Sequence, residues 1–385
     1  MRDRIYLDHA ATTPARSEVI EAMLPYFGEV GHNPSSLHVE GRRARAALDE
    51  ARDRVARILG VHRKTITFTG SGSEADNQAL VGAIHGLGKR GANIISVATE
   101  HHAILHALDA LHDDGYSITI LPVDDRGLVD PDSFAHAMRS DTVLASVMLA
   151  NNELGTIQPI ARLAQVAREH HVLFHTDAVQ AGAWLDVSPE TLGVDMLSLS
   201  AHKFYGPKGV GMLYVREGVN VTPLVFGGGQ EFGRRSGTEN VAGIVGFARA
   251  LEMVAANRDA RSGRVSKLRD ALENGLSAKV QDIRVNGAGA ERLPNISNVS
   301  FAGIDSESLL MRLDLEGVAV SAGSACTSGA LEPSHVIAAL GTDARWHQGV
   351  IRFSLGEATS ASDVEYAVAL VSRLATELRA KGVRT

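Results

Sequence analysis

"TITFTGSGSEADNQALVG", residues 65–82, decides the architecture. Its first five residues are β-branched or aromatic, the composition of a buried strand. Gly70-Ser71-Gly72-Ser73 then breaks the run, and the spacing that follows is helical, through ADNQALVGAIHGLGKRG. A strand that turns on small residues directly into a helix is the unit of a parallel sheet with helical crossovers.

The unit recurs outward from this point. NIISVAT (93–99) precedes HHAILHALDALHDDG (101–115), and SITILPV (117–123) precedes PDSFAHAMRS (131–140). TVLASVMLA (142–150) leads to IARLAQVAREHHV (160–172), and VLFHTDA (172–178) to AGAWL (181–185). These apolar runs lack clean alternation, which predicts a mainly parallel α/β sheet covered on both faces. The stretch LSLSAHKFYGPKGVGMLYV (197–215) closes it, and GGGQ (227–230) marks a change of texture. A helical stretch from about 240 to 278 leads into NISNVSF (295–301), SESLLMRLDLEG (306–317), VAVSAG (318–323), VIRFSLG (350–356) and a long terminal helix. This shorter alternation predicts a smaller α+β domain. We divide the chain into a large domain, residues 15–255, and a small domain of residues 1–14 with 256–385. The helix VEGRRARAALDEARDRVARIL (39–59) carries mixed charges at helical spacing, which a solvated face explains.

Composition narrows the function. The 385 residues are 44% hydrophobic and 22% charged, ordinary for a globular chain. Net charge is −7, and no basic block is interleaved with aromatics, which argues against direct nucleic-acid binding. No apolar run approaches membrane-spanning length, and MRDRIYLDHAATT has no apolar signal core, so a cytoplasmic protein without membrane contact is expected. Cys326 is the single cysteine, which rules out an intrachain disulfide.

Three features point to chemistry. The turn Thr69 to Glu74 aims backbone N–H groups and hydroxyls at one spot, which suits a phosphate. It matches neither a P-loop nor a dinucleotide-binding turn. Asp177, in His175-Thr176-Asp177, ends an apolar run where a parallel strand presents its carboxyl end to a ligand crevice. His175 and Asp177 could form a metal pair, with Glu100-His101-His102 as further candidates, but no fuller ligand spacing appears. Lys203 follows another strand end. Phosphate cradle, carboxylate and lysine together suit pyridoxal 5'-phosphate, which needs an anion site, a partner for its pyridinium nitrogen and a Schiff-base lysine. The metal alternative ranks below the cofactor. Arg352 sits in the apolar strand VIRFSLG and needs a buried anion, which either a bound carboxylate or a structural acidic residue satisfies.

LDHAATT (7–13), NPSSLH (33–38), TEHHAIL (99–105), NNELGTIQP (151–159), HTDAVQ (175–180), SAHKFYGPKG (200–209), RRSGTEN (234–240), SAGSACTSG (321–329) and RFSLG (352–356) resemble, nearly end to end, the cysteine desulfurase family. That family lies in the class V aminotransferase group of fold-type-I pyridoxal-phosphate enzymes. Its members are homodimers that take sulfur from L-cysteine, release L-alanine and hold the sulfur as a cysteine persulfide. The resemblance implies Lys203 as Schiff base, His101 stacked on the ring, Asp177 on the pyridinium and Gln180 on the phenolic oxygen. It implies Gly72, Ser73, Ser200 and His202 around the phosphate, with Thr238 reaching in from the partner subunit. Asn152 and Arg352 would take the substrate carboxylate, and Cys326 would attack the substrate sulfur. Where relatives usually read T-S-G-G/A-T-E, this chain has T-G-S-G-S-E, placing a serine hydroxyl at 73.

The residues around Cys326 are nearly all small, which favours an accessible, mobile thiol over a packed one. The implied partners are L-cysteine and a sulfur-acceptor protein, either an iron–sulfur scaffold or a thiolation enzyme. Selenocysteine lyase, another pyridoxal-phosphate lyase or aminotransferase, and a non-catalytic sulfur-relay scaffold are the alternatives. Cys326 disfavours a plain aminotransferase, and the set Lys203, Asp177, His101 and Cys326 disfavours a non-catalytic scaffold.

Overall fold

The structure is a computed structural model that describes residues 4–322 and 334–382. Its strands are β1 (Ile5–Tyr6), β2 (Ile66–Thr69), β3 (Asn93–Val97), β4 (Ser117–Leu121), β5 (Thr142–Ser146), β6 (Leu173–Asp177), β7 (Met196–Ser200), β8 (Gly211–Val215), β9 (Ile283–Asn286), β10 (Ile296–Phe301), β11 (Val318–Ala319) and β12 (Val350–Ser354).

Seven of them form one sheet in the order β2-β8-β7-β6-β5-β3-β4. The run β4-β3-β5-β6-β7 is parallel throughout, and β8 lies antiparallel to both β7 and β2. Strands β5, β7 and β8 are buried along their whole length, as their unbroken apolar runs require. The covering helices bury stripes at helical spacing: Ile104, Ala107, Leu108 and Leu111 on one, Ile160, Leu163, Ala164 and Ala167 on another. The expected fold class, a mainly parallel α/β sheet with smaller sheets after it, is the observed one.

The later strands build two smaller sheets, β12-β10-β9, antiparallel, and the parallel pair β1-β11. Through β1 the amino-terminal segment pairs with β11, and Asp8 bridges to Ser354 at the end of β12. From there residues 7–13 run toward the carboxyl ends of the large sheet.

The helix Val39–Leu59 corrects one expectation. Its charges do not all face solvent, because Arg52 is buried and pairs in a fork with buried Glu231, at 2.6 and 2.8 Å. The Arg52 guanidinium lies between the rings of Phe68 and Phe232, and Glu231 also accepts from the Phe68 N–H. Spacing along one helix cannot reveal a partner 179 residues away.

Candidate active site

The parallel strands deliver their carboxyl ends to one cavity of about 580 Å³. Gly72, Ser73, His101, Asn152, Asp177, Gln180, Ser200, His202, Lys203 and Arg352 all line it. These ten come from six separate segments of sequence. Thr238 is exposed and lies apart from this lining, and Cys326 falls outside the described residues.

At one end, Ser71 caps the helix Gly72–Asn77 by accepting from the Glu74 N–H at 3.0 Å, so its oxygen is committed to the turn. Ser73 is exposed to the cavity. Gly72 permits close packing, since a Cβ there would lie 2.9 Å from Val179 Cγ2 and 3.3 Å from Ser200 Cβ. Gly211 is similarly required, because its Cβ would meet the Ser71 carbonyl at 2.4 Å. The helix start, two serine hydroxyls (Ser73 and Ser200), His202 and Lys208 make this end an anion cradle.

Across the cavity, Asp177 ends β6, with Oδ1 accepting from the Val179 N–H at 2.8 Å. Burial pushes its carboxyl up to about 6, against the attraction of Lys203. Asp76, lining the same wall, is raised further by burial and by Asp177 beside it. A cationic heterocycle nitrogen would suit this acidic wall.

His175 sits two residues before Asp177, but both its nitrogens are occupied. Nδ1 bonds Ser146 Oγ at 2.9 Å and Nε2 bonds Ser198 Oγ at 3.0 Å. Burial holds it neutral, pulled down to about 3. Among the described residues, no group of three His, Cys, Asp or Glu is placed to hold a metal.

Lys203 follows β7 on a single tight turn, Ala201–Lys203. Its Nζ donates to the carbonyls of Ala10 at 2.6 Å and Ala11 at 2.9 Å. Gln180 Nε2 donates to the same Ala10 carbonyl at 3.0 Å, and Thr12 Oγ1 meets His202 Nδ1 at 3.2 Å. His101 caps the helix His102–Asp113, its Nδ1 accepting from the Ala103 N–H at 3.1 Å. That bond places the neutral ring's proton on Nε2, and burial followed by the Lys203 charge pulls the imidazole down to about 4. His101 is therefore a neutral N–H donor at ordinary pH.

At the far end, Arg352 is 2% exposed. Its Nη1 donates to the Asn152 carbonyl at 2.9 Å and its Nη2 to Asp8 Oδ1 at 3.0 Å. Glu153, fully buried beside it, accepts from Ser334 Oγ at 2.7 Å.

Motif reasoning missed the role of residues 8–12. Ala10, Ala11 and Thr12 line the cavity, but the two alanines act through backbone carbonyls, which leave no side-chain signature. The acidic residue opening the small-residue run, Asp8, was the available signal. Glu153, Asp76 and His335 were also missed, each within a few residues of a motif already noted.

The chain as a whole is similar to known proteins. The family model described as Aminotransferase class-V matches residues 5–367. The chain is similar to a protein named cysteine desulfurase IscS from Dictyoglomus turgidum, with 47% identity covering 98% of this chain and 96% of the relative. It is 45% identical to another protein of that name from Methanosarcina thermophila, covering 97% of this chain and 93% of the relative. Among solved structures, a NifS-like protein superposes with TM-score 0.91 at 37% identity, covering 97% of this chain and all of that one. The structure of SspA in complex with cysteine gives TM-score 0.81 at 34% identity, with 91% and 98% covered.

Proposed function

The chain belongs to the class-V aminotransferase family, and from that membership we propose that it is a pyridoxal-phosphate-dependent cysteine desulfurase, converting L-cysteine to L-alanine and an enzyme-bound persulfide. One observation carries the reading: an anion cradle, an acidic wall and a lysine amine share a single cavity with a buried arginine.

The donor set fits pyridoxal phosphate. The cradle at Gly72, Ser73, Ser200 and His202 would hold the phosphate, Asp177 would hold the ring nitrogen protonated, and Gln180 would reach the phenolic oxygen. When bound, the cofactor supplies an aldehyde that exchanges between amines and a ring that accepts electrons from the substrate Cα. Lys203 would anchor it covalently, then take and return the α-proton. Arg352 and Asn152 would grip the substrate carboxylate. His101, which lines the cavity, would stack on the ring, and its Nε2–H suits it to give a proton near the substrate sulfur. Cys326, outside the described residues, would attack that sulfur as a thiolate.

A homodimer, with Thr238 completing the partner's cradle, is supported by the exposure of Thr238 and of Phe27, Leu37 and Phe226. The pairing of β1 with β11 supports assigning residues 1–14 to the small domain with 256–385. A sulfur-acceptor protein is the expected macromolecular partner. The lone cysteine supports a cytoplasmic setting, and among the described residues no helix is long and apolar enough to cross a membrane.

The test is to supply L-cysteine to the purified enzyme and measure alanine and protein-bound sulfur together. Equimolar alanine and a persulfide mapped by mass spectrometry to Cys326 are expected. Alanine with no sulfur on Cys326, and an undiminished rate for Cys326→Ser, would leave a lyase rather than a persulfide-forming enzyme.

A further inference from the structure

Arg352 has an acidic partner outside the cavity lining. Its guanidinium carries five N–H donors, and the Asn152 carbonyl and Asp8 take one from each Nη. Nε is buried and has no partner among the described residues. Arg352 and Asn152 line the cavity, whereas Asp8 does not. The Asp8 carboxylate therefore holds the guanidinium without itself lining the ligand cavity. It is itself held by the fold, since its backbone bridges to Ser354, two residues beyond Arg352 on the same strand.

We propose that Asp8 is a positioning residue that orients Arg352 and lowers its affinity for the substrate and product carboxylates. The inference rests on the assignment of those carboxylates to Arg352. A buried guanidinium without a counter-charge would hold any entering carboxylate tightly, including that of the product, because attraction is strong where water is excluded. A fixed carboxylate at 3.0 Å offsets part of that attraction. It also fixes the plane of the fork, leaving the free N–H groups directed to a ligand. Asp8 thus favours release of alanine after each turnover, while the Asn152 carbonyl and the Asp8 oxygen keep the geometry constant.

The experiment measures binding of L-alanine to the holoenzyme by calorimetry, with ethylamine as the matched amine that lacks a carboxylate. Asp8→Asn keeps an acceptor oxygen and removes the charge. It should tighten L-alanine binding by about tenfold while leaving ethylamine unchanged. Asp8→Ser, smaller but also neutral, should shift the ratio of the two ligands in the same direction. Arg352→Gln should weaken L-alanine by more than about tenfold and abolish the effect of Asp8→Asn. If Arg352→Gln weakens L-alanine but Asp8→Asn leaves it unchanged or weaker, the role of Asp8 is overturned and that of Arg352 stands. If Arg352→Gln leaves L-alanine binding intact, the carboxylate assignment fails and the role of Asp8 fails with it.

Discussion

Lys203 and Asp177 illustrate how burial makes ordinary residues reactive. Lysine at 203 is useful because its amine reaches a cavity instead of bulk water, and Asp177 because its charge has few neighbours to screen it. Lys203→Ala should abolish turnover, and borohydride reduction should no longer fix a cofactor to the chain. A reduced adduct found on another lysine would overturn the assignment. Asp177→Asn cannot keep a pyridine nitrogen protonated and should slow turnover on the order of 100-fold, with the melting temperature little changed. An unaltered single-turnover rate would remove Asp177 from the mechanism. Glu100 offers a separate test of buried charge. Its Oε1 accepts from the Met148 N–H at 2.7 Å, its Oε2 has no partner among the described residues, and burial raises its carboxyl well above the usual range. Because the folded value lies above the unfolded one, the stability linked to this proton is present in acid and lost as pH rises through the folded value. Glu100→Gln should therefore melt with the wild type only below the ordinary glutamate range, and higher than the wild type above that range, by a margin that widens as pH rises toward alkaline buffer. The reverse order would show that Glu100 is ionised in the fold.

Among the elements, segments without regular structure do much of the positioning. Residues 7–13 form only a two-residue strand's continuation, yet they contact Arg352, Lys203, Gln180 and His202. The loop 229–238 is anchored as firmly from the other side. Glu231 and Phe232 hold positive φ of 46° and 60°, which costs energy for residues with side chains. The Arg52 fork and the Arg235–Glu74 pair at 2.9 Å tie that loop to the helix Val39–Leu59 and to the cradle. Removing one partner of a buried pair strands the other charge. Arg52→Met should cost roughly 3–5 kcal/mol of stability, and pairing it with Glu231→Gln should recover much of that loss. A single variant that melts with the wild type would show that the fork contributes nothing net.

For the whole molecule, the exposed Thr238 gives the proposed dimer a functional reading. If the partner's cradle requires it, Thr238→Ala should weaken cofactor binding while each subunit's own cavity stays intact. Sedimentation should give twice the 40.9 kDa chain mass for both proteins. A wild-type enzyme that sediments as a monomer and binds cofactor fully would set Thr238 aside.

By itself the sequence determined the sheet and most of the cavity. Apolar runs such as TVLASVMLA and MLSLS require burial on both faces, and a parallel strand must present its carboxyl end to the crevice, so Asp177 and Lys203 were legible as neighbours, and Ser200 through the family resemblance. What only the tertiary structure decided depends on contacts with no local signature. The carbonyls of Ala10 and Ala11 on Lys203 belong to residues about 190 positions away, and a carbonyl is the same in every residue. The need of Arg352 for an anion could be read from its apolar strand, but the identity of that anion could not. A buried charge constrains the sign of its partner, and only folding brings Asp8, 344 residues distant, to 3.0 Å.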